Sequence, residues 1–217
     1  TNYAAGRIFE QQGAPDKAIE QYRKAIAVNH GYTAAYARLG LMLSVTGQHE
    51  ESVAAFTRAV ELKPGSAILR NNLGFELLYV ERFDEAERHL REAARLDAKL
   101  AQAHINLGIL LGRTQRYEQA VDSFRKVLPE PDAYYNLGLL QRAQGRHSQA
   151  ADSFRRVLTI NPEFSAAQRQ LVQVERKIAA AEAAAAALAT TTVVPGQDAN
   201  AIQPTAEKND RHTATPP

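Results

Sequence analysis

Asn71-Asn72-Leu73-Gly74-Phe75-Glu76-Leu77-Leu78 recurs with variation at four other places in the chain. Upstream stand Ala35-Tyr36-Ala37-Arg38-Leu39-Gly40 and the degenerate Tyr3-Ala4-Ala5-Gly6, and downstream His104-Ile105-Asn106-Leu107-Gly108 and Tyr134-Tyr135-Asn136-Leu137-Gly138. The glycines fall at 6, 40, 74, 108 and 138, an interval of 34 residues three times and then 30. Self-similarity at such a period marks a repeat architecture, in which each unit buries its apolar face only against its neighbours.

With the glycine counted as position eight, the units begin near residues 1, 33, 67, 101 and 131, and other columns fall into line. Position seven holds Ala5, Leu39, Leu73, Leu107 and Leu137, and position twenty holds Ala18, Ser52, Ala86, Ala120 and Ala150. Position twenty-four is Tyr22, Phe56, Leu90, Phe124 and Phe154, and position twenty-seven Ala25, Ala59, Ala93, Val127 and Val157. Within each unit the apolar residues recur at spacings of three and four in two runs, parted by a turn such as Thr46-Gly47-Gln48 or Gln144-Gly145-Arg146. This pattern predicts two helices per unit. Small residues at eight and twenty let them touch, and Pro64 and Pro162 end the second helix in two units because proline lacks the amide donor.

These residues resemble the tetratricopeptide repeat family over residues 1 to 164. The resemblance implies an all-α, right-handed solenoid, or superhelix, of helix-turn-helix repeats. Five units keep the Leu-Gly, Ala, aromatic and Pro columns in phase, although Tyr36, Arg70, His104 and Tyr134 stand at the family's Trp position, and Glu81 and Gln115 replace the turn glycine. The fourth unit is shortened by four residues around Val127-Leu128-Pro129-Glu130-Pro131-Asp132. Its second helix must stop by Leu128, and the loss of about one 3.6-residue turn keeps the faces in register. Residues 165–189 continue as a capping helix, with Ala167, Leu171, Val174 and Ile178 on one side, then nine alanines between Ala179 and Ala189. Residues 190–217 are poor in large apolar side chains, a composition that predicts disorder.

Of the 217 residues 45% are apolar, enough for one sizeable domain, and the net charge is +2 with acids and bases interleaved. No basic stripe suits nucleic acid. No cysteine offers a disulfide or thiolate, and no apolar run approaches the ~18 residues of a membrane span. We expect a soluble chain of cytoplasm or periplasm, and a fragment, because Thr1 falls inside a repeat. Catalysis is not expected: the six histidines show no metal-ligand spacing, and neither a nucleophile elbow nor a phosphate loop occurs. No metal or cofactor is implied.

Successive helical residues turn by about 100°, so positions four, seven, eight and eleven of a first helix face its partner helix, and two, six, nine and thirteen face away. The family resemblance implies that the second set lines a concave groove for protein or peptide partners. Position six carries Arg38, Asn72, Asn106 and Asn136, position nine Leu41, Phe75, Ile109 and Leu139, and position thirteen Tyr79 and Arg113. A carboxamide offers donors and an acceptor to a peptide backbone, and the three asparagines look similar to the ladder in the repeat arm of O-GlcNAc transferases. The competing expectation is structural, with asparagines bridging neighbouring first helices. A charged clamp for a chain-terminal carboxylate, present in some family members, uses lysine, arginine and asparagine on three adjacent units; Arg7, Arg38, Arg113 and Arg142 do not fall in three consecutive units at its positions, and Tyr3, Asn71, Asn72 and Ile105 stand where several of its groups would be needed. Two further readings are the substrate-selecting arm of a larger enzyme, such as a glycosyltransferase, and an assembly factor for a bacterial pilus or secretion complex.

Overall fold

A computed structural model describes residues 1–191, with side chains through Leu188, and the expected disordered tail lies outside them apart from its first two residues. Eleven helices and no strand occupy the described residues. They pair as α1 (Asn2–Gln11) with α2 (Pro15–Val28), α3 (Thr33–Val45) with α4 (His49–Leu62), and α5 (Ala67–Tyr79) with α6 (Phe83–Leu96). Then come α7 (Ala101–Arg113) with α8 (Tyr117–Arg125), α9 (Glu130–Ala143) with α10 (His147–Ile160), and a final α11 (Ser165–Thr191). The chain divides into two compact units, Thr1–Ala179 and Ala180–Pro217. The first is a right-handed α-solenoid in which α1 to α10 each pack on their neighbours in sequence, and α11 packs on α10 through Ala167 and Val174. The described part of the second is the end of α11, whose side chains from Ala180 to Leu188 are exposed.

The repeat columns become contacts. Tyr22, Phe56, Leu90, Phe124 and Phe154 are fully buried, each lying over the glycine of its own first helix. A Cβ on Gly40 would stand 2.8 Å from the Phe56 ring, and one on Gly138 2.6 Å from Phe154. Position twenty is fully buried in every unit, and Ser52 keeps the size class while donating its hydroxyl to Gly40 O at 2.8 Å. In the shortened unit α8 ends at Arg125, and the amides of Val127 and Leu128 both bond Phe124 O to close the turn before α9.

Turns between paired helices require a left-handed residue. Gly13, Gly47 and Gly145 supply it with φ of 67°, 77° and 73°, and Glu81 and Gln115 take the same conformation with φ of 63° each. The absent glycines therefore change the residue and keep the turn. At the other end α11 presents Val172, half exposed, where earlier units have a buried glycine. Its Ala167 and Val174 are buried with Phe154 and Val157, while Gln168, Arg169, Gln173 and Arg176 stay in solvent, as a cap requires.

Gly40→Ala should cost about 1–3 kcal/mol in urea denaturation, because the added methyl meets a fully buried ring. Gln115→Gly should stabilise by up to about 1 kcal/mol, since a left-handed side chain carries a steric cost that glycine escapes. Glu81→Gly should gain less, because it also removes an ion pair to Arg113.

Candidate peptide-binding groove

First helices of successive units touch one another, α5 with α7 and α7 with α9, and no pair of second helices makes a contact of that extent. The first helices thus line the inner side of the solenoid, and positions two, six, nine and thirteen open onto it. Four large apolar side chains stand exposed there around α5: Val45 at 72%, Ile68 at 60%, Phe75 at 40% and Tyr79 at 58%. Val45 and Ile68 lie in columns already assigned to this face, although neither was among the expected contact residues. Leu41, Ile109 and Leu139 are half-buried and packed against the core, so they form the floor between helices more than free anchors.

Two of the three asparagines meet, through a residue that the repeat pattern did not single out. Buried Asn71 donates Nδ2 to Asn72 Oδ1 at 3.3 Å and accepts from Asn106 Nδ2 at 2.9 Å on its Oδ1. Asn136 instead donates to Asp132 O of its own helix at 2.8 Å. The carboxamides therefore do bridge neighbouring first helices at one junction. Asn72 Nδ2, Asn106 Oδ1 and Asn136 Oδ1 keep no hydrogen-bond partner among the described residues and remain half-exposed edges of the groove.

The arginines are braces. Arg38 Nη1 donates to Glu10 Oε1 at 2.8 Å, and Arg7 approaches the same carboxylate at 3.5 Å. Tyr22 OH donates to Glu10 Oε2 at 2.6 Å, and burial together with that bond pushes the phenol well above its ordinary range. Arg113 Nη1 donates to Leu78 O at 3.0 Å and its Nη2 to Glu81 Oε1 at 2.7 Å, with the guanidinium 5.1 Å above the Phe83 ring. Both arginines thus tie one unit to the previous one.

A second cluster escaped the sequence reading. Glu76, only 2% exposed, places Oε2 3.0 Å from His49 Nδ1, and the His49 ring stacks on Tyr79 at 3.8 Å between centroids. A buried acid with a histidine partner positions an exposed aromatic. The signal existed in the columns: Glu76 stands where other units carry Ile8, Met42, Leu110 and Leu140, and an acid in an apolar column needs a partner. Among the described residues no three His, Cys, Asp or Glu groups gather as a metal site, and no helix is long and apolar enough to cross a membrane.

Family models for the tetratricopeptide repeat match residues 3–67, 72–132 and 131–164. The chain belongs to the tetratricopeptide repeat family. Solved structures agree on the fold. A tetratricopeptide repeat protein from Parabacteroides merdae ATCC 43184 superposes with a TM-score of 0.66 at 15% identity, covering 88% of this chain and 77% of that one. MamA from Desulfovibrio magneticus RS-1 gives 0.63 at 17% identity over 75% and 94%. YrrB, described as a repeat protein with an unusual peptide-binding site, gives 0.62 at 20% over 77% and 89%. No curated protein matches the sequence. Membership makes this tetratricopeptide repeat chain a protein-interaction scaffold.

The His49–Glu76 pair yields a thermodynamic cycle. His49→Phe should lower stability by about 2 kcal/mol or more, because it leaves a buried carboxylate without its partner. The double variant His49→Phe with Glu76→Leu should recover part of that loss, read from thermal or urea unfolding.

Proposed function

We propose that the inner face captures one extended segment of a protein partner. Apolar side chains of that segment cover Phe75 and Tyr79, with Val45 and Ile68 at the margin, while its backbone runs past Asn72, Asn106 and Asn136. The exposure of Phe75 and Tyr79 beside these carboxamides carries the reading. Large aromatics held in place beside a polar rim are the usual energetic centre of an interface. Tyr79 is pre-positioned by its stack on His49, which lowers the entropy lost on binding. The half-bonded asparagines still offer Nδ2 of Asn72 and Oδ1 of Asn106 and Asn136, a donor and two acceptors suited to peptide amides. Leu41, Ile109 and Leu139 supply the floor, and Arg38 and Arg113 hold the units that form the walls. The relation of YrrB to a peptide site is consistent with this use of the fold.

Peptides selected from a random display library provide the test. Phe75→Ala with Tyr79→Ala should weaken binding by about thirtyfold or more, as truncation of hot-spot aromatics does. The unfolding midpoint should stay nearly unchanged, because both side chains are exposed. Asn72→Ala with Asn106→Ala and Asn136→Ala should cost about tenfold or more, from three bonds at a net ~0.5–1.5 kcal/mol each. Unaltered affinity in the aromatic double variant, with the fold intact by circular dichroism, would overturn the groove reading. Removal of residues 179–217 should leave peptide binding unchanged, whereas an assembly factor acting through the Ala-rich helix would lose its partner.

A further inference from the structure

Two columns of the repeat meet at the junction between first helices: position twelve of one unit and position six of the next. At the first junction they are Glu10 and Arg38, a carboxylate against a guanidinium at 2.8 Å. At the last they are Arg142 and Gln170, and the polarity is reversed. Arg142 Nη1 donates to Gln170 Oε1, with Gln173 Oε1 at 3.4 Å as a second acceptor. Gln170 and Gln173 occupy positions six and nine of α11, so the guanidinium is held across the groove end of α9 and α11.

Neutral partners fix a cation without cancelling its charge. Elsewhere on the inner face the chain neutralises its arginines itself: Glu10 serves Arg7 and Arg38, and Glu81 serves Arg113. Arg142 has no carboxylate within ion-pair distance among the described residues. Its side chain is half-buried, which restricts its rotamers, while Nη2 and Nε have no hydrogen-bond partner among the described residues and so remain for a bidentate acceptor. Gln173 is exposed beside it, and its own amide protons add donors. An arginine immobilised by glutamines at the end of a peptide groove has the charge and geometry of a carboxylate receptor.

Resting on the groove reading above, we propose that Arg142, with Gln170 and Gln173, binds the side-chain carboxylate of an internal Asp or Glu in the captured segment. The site fixes the direction and register of that segment. Adjacent helices lie about 8–10 Å apart and an extended chain rises about 3.3 Å per residue. From α5 to the α9–α11 junction is therefore about 20–25 Å, which places the acid roughly six to eight residues from the side chain over Phe75 and Tyr79.

The test uses the full chain and a random peptide library joined to its carrier through the peptide C-terminus, so that only side chains supply carboxylates. Selection is run on the wild type, on Arg142→Gln, on Arg142→Glu, and on the Phe75→Ala, Tyr79→Ala double variant. We expect wild-type peptides to share an Asp or Glu at fixed spacing from an apolar residue. Arg142→Gln should keep the apolar residue and lose the acid, and Arg142→Glu should select Lys or Arg at the same spacing. A wild-type peptide should bind Arg142→Gln about tenfold more weakly, with a flatter salt dependence. The same acidic position in peptides from Arg142→Gln, or none in the wild-type set, overturns the carboxylate site while the aromatic dependence leaves the groove standing. Peptides indifferent to Phe75 and Tyr79, or no selected peptide at all, overturn both.

Discussion

Every unit of this solenoid depends on a ring or a leucine pressed onto a glycine. A helix pair can approach this closely only where one backbone has no side chain, and the second helix fills that space with Tyr22, Phe56, Leu90, Phe124 or Phe154. The contact sets the distance and rotation between the two helices, and thereby decides which positions of the first helix face outward. Glycine in a helix interior is intrinsically unfavourable. The chain accepts that penalty five times because buried ring area outweighs it. At α11 the corresponding position holds Val172 in place of a glycine.

Given that geometry, the inner face is shared between cohesion and recognition. The same first helices that line the groove must also hold to their neighbours, and the polar side chains do both. Arg38 and Arg113 reach back to the preceding unit, and Asn71 links Asn72 to Asn106. On the proposed reading, a ligand would meet the part these bonds leave unused: one edge of each asparagine, the faces of Phe75 and Tyr79, and the guanidinium of Arg142. A solenoid gains little from surface ion pairs taken singly. Braces between units act instead on nearest-neighbour interfaces, the term on which its cooperativity rests.

The columns also differ in ways that reveal tuning. His49 meets Glu76 and thereby carries Tyr79, whereas His147 stands in the same column with Val174 at the corresponding place in the next helix, and its buried Nδ1 finds no partner. One position therefore organises an aromatic anchor in the middle of the face and none near its end. Glu81 and Gln115 show the reverse economy: both tolerate a left-handed turn, and Glu81 uses its outward carboxylate to grip Arg113.

The period, the two helices of each unit and the face toward the partner helix were legible in the sequence. Each follows from local periodicity, from residue size at a fixed column, or from proline and glycine punctuation. Helical rotation alone assigned the inner-face columns in the sequence reading. Which side chains on those columns remain free was decided only in three dimensions. Asn71 was silent because its partner lies 35 residues away. Arg38, Arg113 and Arg142 stand in different columns, and none of those columns tells what the neighbouring unit places opposite, a carboxylate for the first two and carboxamides for the third. Periodicity determines where a side chain points, and packing between units determines what it meets there.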